Sequence, residues 1–130
     1  MVGTANADIT EENGAVTINT PKLTMTYNGN DKFSSDNLSI CVHTAGIDVE
    51  WHFGDELKNN LGGTLVTLDG VCGEKPLPDG IISRDGFFVI DDSGKPILRD
   101  GWIENRNEDH LIDLYFSAYG NDYKAALRDL

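Results

Sequence analysis

A chain of 130 residues that is 39% hydrophobic, with two tryptophans, four tyrosines and five phenylalanines, has enough apolar surface for one packed domain at most. Its 22 acidic and 10 basic side chains leave a formal charge of −12, which repels phosphate backbones and anionic membrane surfaces and argues against nucleic acid or membrane partners. No apolar run approaches the roughly 20 residues that span a bilayer, and the first residues lack the basic and apolar regions of a signal peptide, so the chain reads as soluble with its compartment open.

Residues 1–14, with Thr4, Asn6, Asp8, Glu11 and Glu12, are polar enough to be read as a flexible lead-in, and the ordered domain is expected from Ala15. Val16 and Ile18 then alternate with Thr17 and Asn19, and Leu23, Met25 and Tyr27 alternate with Lys22, Thr24 and Thr26. Leu38, Ile40 and Val42 repeat the pattern, as do Ile47, Val49, Trp51 and Phe53 with Asp48, Glu50 and His52 between them. Period-two alternation of this kind predicts strands of an antiparallel sheet with one wet face. Asn-Gly at 13/14 and 28/29, and Asp-Gly at 69/70, 79/80, 85/86 and 100/101, supply positive backbone dihedrals for tight reversals.

Phe87-Phe88-Val89-Ile90 is continuous and predicts a central strand covered on both sides, with 111–119 a longer run of the same character. Tyr123, Ala126, Leu127 and Leu130 have helical spacing, so a helix is predicted from Asn121 or Asp122 to Leu130. No glycine, asparagine or proline follows to close it, and the polypeptide is expected to continue. The fold class is therefore mainly β, an antiparallel β-sandwich over 15–119 with one short C-terminal helix begun at 120–130.

The residues that could do chemistry are scattered. The neighbouring acids Asp55-Glu56, Asp91-Asp92 and Glu108-Asp109 point to opposite faces in a strand or to water in a turn, which does not converge them on one substrate. His43, His52 and His110 lack metal-ligand spacing, although His43 and His52 can meet across two strands. Cys41 and Cys72 are too few for a disulfide framework and are expected as buried free thiols. Ser83 beside Arg84 and Asp85 has no nucleophile elbow around it and reads as a turn residue. The glycines of Asn60-Leu61-Gly62-Gly63-Thr64 suit close backbone packing, not a phosphate loop. Trp51, Trp102, Tyr115 and Tyr119 could form a sugar-stacking platform, but Trp51 shares its face with Ile47, Val49 and Phe53 and is expected in the core, while Trp102 has the better claim to exposure.

In chain order, Val16 to Thr20, Leu23 to Tyr27, Phe33-Ser34, Leu38 to Ile40, Asn60-Leu61-Gly62-Gly63-Thr64, Thr67-Leu68-Asp69-Gly70, Ser83-Arg84-Asp85-Gly86 and Tyr119 to Leu127 resemble the region before the catalytic barrel in family 31 of the glycoside hydrolases. Val66 and Phe87 depart from the arginine and tryptophan frequent in relatives, at positions that are not catalytic in the family. The resemblance implies the later part of an N-terminal supersandwich of the galactose-mutarotase type. Its parent would be a retaining exo-α-glucosidase, or a relative such as an α-xylosidase, that needs no cofactor or metal. Two aspartates of a (β/α)8 barrel, about 5 Å apart, would act as nucleophile and acid/base. Both would lie beyond Leu130, so no catalytic residue is assigned to this chain. Asn60, Gly62, Gly63, Thr64, Asp69, Ser83, Arg84, Asp85 and Gly86 are implied as structural or interdomain residues. The barrel is the implied partner, an α-glucoside the substrate reached through it, and the isolated segment is expected to self-associate through uncovered edges.

Overall fold

A computed structural model describes residues 6–29, 32–63, 69–106 and 111–129. The chain is mainly antiparallel β with one short helix. Five strands, β1 (Asp8–Glu12), β2 (Ala15–Asn19), β3 (Leu23–Asn28), β4 (Leu38–Val42) and β5 (Val49–His52), form a meander in sequence order. A second layer is the ribbon of β6 (Phe87–Asp91) with β9 (Leu114–Ala118). Within the connection between these two, β7 (Ile97–Arg99) and β8 (Trp102–Glu104) make a hairpin, and α1 (Tyr123–Arg128) follows β9. No helix among the described residues is long and apolar enough to cross a membrane.

Register explains why the alternating runs work together. Leu23 pairs with Val42 and Val42 with Val49, while Met25 pairs with Ile40 and Ile40 with Trp51, so the apolar residues of three strands stand in rows on one face. The β6–β9 ribbon lies over these rows. Phe87 stacks on Phe116 with ring centroids 5.1 Å apart, and Phe116 meets Trp51 at 5.5 Å. Ile40, Val42, Trp51 and Phe87 are the buried centre, with Val89, Leu114 and Phe116 of the ribbon packed against it. The Trp51 indole N–H donates to the Asp55 carbonyl at 3.3 Å, so the buried ring carries no orphaned donor.

Two turns carry out the predicted glycine chemistry directly. Asn13-Gly14 joins β1 to β2 with φ of 52° and 82°, and Asp100-Gly101 joins β7 to β8 with φ of 49° and 83°, the left-handed pairs that suit two-residue hairpins.

The structure corrects four expectations. Residues 8–12 are not a lead-in: β1 pairs along its whole length with β2, although every residue in it is exposed. Ile47 is 84% exposed in the β4–β5 loop, so the fourth alternating run begins only at Val49. Phe87–Ile90 is not a strand between two others; among the described residues β6 has β9 as its one partner. Its double coverage comes instead from the sheet on the Phe87 side and from Ala126 and Tyr123 of α1 beside Phe88 on the other. The run at 111–119 narrows to β9, with Leu111, Ile112 and Tyr115 exposed.

The helix spans Tyr123–Arg128, beginning where the Asp122 carboxylate accepts from the Ala125 N–H at 3.0 Å. Its entry is held against β6, because Tyr119 and Gly120 both donate to the Gly86 carbonyl, at 3.0 and 2.8 Å. Gly86 has φ of +81°, and a Cβ there would stand 2.8 Å from Gly120 Cα. Leu130, the last predicted helical residue, lies outside the described residues.

Candidate functional site

The family-like residues at 60–63 and 83–86 are about twenty positions apart in sequence and meet in one hydrogen-bonded clasp. Asn60 forms an antiparallel bridge with Ser83. Its amide Nδ2 donates to the Gly80 carbonyl at 2.8 Å, and its Oδ1 accepts from the Gly62 and Gly80 N–H groups at 2.8 and 2.7 Å. Leu61 donates to the Ile82 carbonyl, Gly63 to Pro78 and Arg84 to Asn59, which zips the two segments on either side. A Cβ on Gly80 would fall 2.8 Å from the Gly62 carbonyl carbon, so this approach requires glycine.

Ser83 is 3% exposed, and its Oγ accepts from the Asp85 N–H at 3.1 Å. Asp85 in turn accepts from Asn59 Nδ2 at 2.7 Å. Among the described residues, no hydrogen bond joins a histidine to Ser83 or to its clasp partners. Arg84 is exposed, Asp69 is exposed in the turn with Gly70, and Thr64 and Val66 lie outside the described residues.

The acids divide the same way. Asp91 accepts from the Ser93 N–H at 2.9 Å, and Ser93 holds its carboxyl below the ordinary carboxylate value. That direction keeps Asp91 ionised near neutrality, the opposite of what a glycosidase general acid requires. Its neighbour Asp92 goes elsewhere, to Lys95 Nζ at 3.3 Å and Arg106 Nη2 at 3.4 Å, while Arg106 also pairs with Asp113 at 2.7 Å. Asp55 accepts from the His52 N–H at 2.8 Å. Asp55, Glu56, Asp79 and Asp91, together with the apolar Trp51, Phe53, Leu57, Val89 and Leu114, line an open groove of about 490 Å³. Glu108, Asp109 and His110 lie outside the described residues.

The aromatic platform does not form as a unit, because Trp51 is 5% exposed within the core. Trp102 is 76% exposed on β8, opposite Arg99 of β7, and Leu98 and Ile103 form an exposed pair on the ribbon's other face.

Sequence reading missed one arrangement. His43 and His52 do not meet: His52 lies opposite Ser39 near Glu50 and Asp55, while His43 follows the far end of β4. There His43 Nδ1 lies 3.1 Å from Asp48 Oδ2, and its Nε2 lies 3.1 Å from Thr24 Oγ1. Cys41 Sγ lies 3.9 Å from the same Asp48 oxygen. Contrary to expectation Cys41 is only half-buried, on the polar face of the sheet, and Cys72 is exposed. Desolvation and then the charges of Asp48 and Glu50 push the Cys41 thiol up from its ordinary value. The available signal was Cys-x-His on a strand followed by an aspartate in the next loop.

No protein-family model matches this chain, and no curated protein matches it. The family 31 reading rests on the motifs themselves.

Proposed function

We propose that this chain is a non-catalytic β-domain segment of a family 31 glycoside hydrolase, a retaining exo-α-glucosidase or a close relative such as an α-xylosidase. In this reading it packs against the catalytic barrel and helps to shape the approach to its pocket. The observation that carries the proposal is the clasp: Asn60, Gly62 and Gly63 join Ser83, Asp85 and Gly80 in a framework in which the Asn60 amide and the Ser83 hydroxyl serve the backbone and Asp85 is tied to Asn59. Residues used in this way stiffen a scaffold and leave bond cleavage to another domain. The exposed Leu98, Trp102 and Ile103 of the β7–β8 hairpin give such a scaffold an apolar projection for the barrel.

The test is to read the gene past the Leu130 codon, and to assay its full product beside the 130-residue chain on p-nitrophenyl α-glucoside and α-xyloside. Activity is expected in the longer product and none in the short one. A frame that stops at Leu130, or a longer product inert on both substrates, defeats the reading.

Trp102 favours a second reading, a stand-alone carbohydrate-binding module, because an exposed indole opposite Arg99 and two residues before Glu104 offers a stacking face with polar groups near it. Calorimetric titration with soluble α-glucans separates the two. Micromolar to millimolar binding that Trp102→Ala abolishes supports the module, and no binding supports the segment.

A further inference from the structure

The end of β4 brings together three side chains of the kinds that ligate transition metals. Cys41 and His43 are two positions apart on extended chain and therefore leave the sheet on the same, polar face. His43 is anchored by its backbone N–H, which donates to the Lys22 carbonyl at 2.8 Å. Asp48 returns to them from the β4–β5 loop, which Thr44 closes by donating its hydroxyl to the Ile47 carbonyl at 2.7 Å. One ligand atom from each of Cys41, His43 and Asp48 lies within 4.8 Å of the others.

The spacing suits a tetrahedral ion. Zinc bonds of about 2.3 Å to sulfur and about 2.0 Å to nitrogen and oxygen place the nitrogen about 3.3 Å, and the sulfur about 3.5 Å, from a shared carboxylate oxygen. The corresponding separations here are 3.1 and 3.9 Å. We propose that Cys41, His43 and Asp48 form a zinc site, binding the ion through thiolate, imidazole Nδ1 and carboxylate with the fourth position open to water.

Thr24 supplies the outer support. Its hydroxyl, 3.1 Å from His43 Nε2, can accept a hydrogen bond from Nε2–H and so favour the tautomer with Nδ1 unprotonated toward the ion. Glu50, paired across the strands with Cys41, adds negative charge beside the site. A thiolate among the ligands selects zinc over magnesium or calcium, which take oxygen. On binding, the Cys41 S–H bond is replaced by S–Zn and the proton leaves to solvent. The ion would tie β4 to the loop that leads into β5.

The test uses the whole chain, metal-free and under a non-thiol reductant. Zinc is titrated against a chromogenic chelator, and cobalt(II) serves as the spectroscopic stand-in. One equivalent of zinc and a thiolate-to-cobalt charge-transfer band are expected. Cys41→Ser should remove both and Cys72→Ser neither. Thr24→Val should weaken zinc about tenfold. Asp48→Asn, on an exposed loop, should weaken it further and decides the matter if Cys41→Ser disturbs the sheet. Failure to hold zinc, full binding in Asp48→Asn, or a cobalt band lost with Cys72 and kept without Cys41 overturns the proposal.

Discussion

The Asn60 clasp and the Cys41 cluster are both built largely of polar side chains, yet they use their lone pairs differently. In the clasp most polar side-chain atoms are matched to backbone groups, with the Asn59–Asp85 pair the exception: Asn60 alone satisfies two N–H donors and one carbonyl. In the cluster, His43 and Cys41 both approach a single oxygen of Asp48. Groups that face the backbone hold a loop in place, whereas groups that face one another define a point where an ion can sit. Residue type alone does not separate these cases, since an aspartate serves in both, Asp85 in the clasp and Asp48 in the cluster.

The widest gap between the two regions should appear in stability. Gly86→Ala forces a side chain against the Gly120 backbone at positive φ and should cost about 3 kcal/mol, lowering the urea midpoint and loosening α1 from β6. Asn60→Ala removes three hydrogen bonds at a half-buried position and should cost about 2 kcal/mol by the same measurement. Asp48→Asn in the metal-free chain should change stability by less than about 0.5 kcal/mol, because it lies on an exposed loop. A loss as large as that of Asn60→Ala would make the cluster another clasp and erase the contrast.

The smallest effect concerns acid. Asp91 has its carboxyl lowered in the folded chain by Ser93, so its contribution is complete above the ordinary value of 3.8 and is lost as pH falls through the lower folded value. Asp91→Asn should therefore slightly flatten the acid limb of a stability–pH profile and leave the neutral region unchanged. An effect confined to neutral pH would show that Asp91 acts through some contact other than Ser93.

Much of the sheet was legible because alternation is a local signal. Leu38, Ile40 and Val42 had to share a face on any extended backbone, and Asn13-Gly14 and Asp100-Gly101 had to turn it. β1 was not legible, since Asp8–Glu12 carries no apolar alternation and is held by ladder hydrogen bonds to β2 instead of by burial. Phe87-Phe88 announced burial on both sides without saying by what, and a helix supplied the second cover, while the expected central place in a sheet is not found among the described residues. The family-like motifs were read as structural residues, but their convergence on Gly80 depends on a pairing twenty residues away. The Cys41 cluster was missed because Asp48 reaches it only through the path of a loop.

By itself, then, the sequence determined the β class, the apolar faces, the principal turns and the start of the helix, all consequences of side-chain periodicity and backbone sterics acting over a few residues. The tertiary structure alone decided which layer covers the sheet, which polar groups are taken up by backbone, and which three side chains face one another. Those outcomes depend on contacts between distant segments, where packing and hydrogen-bond satisfaction in space, and not proximity along the chain, select the partner.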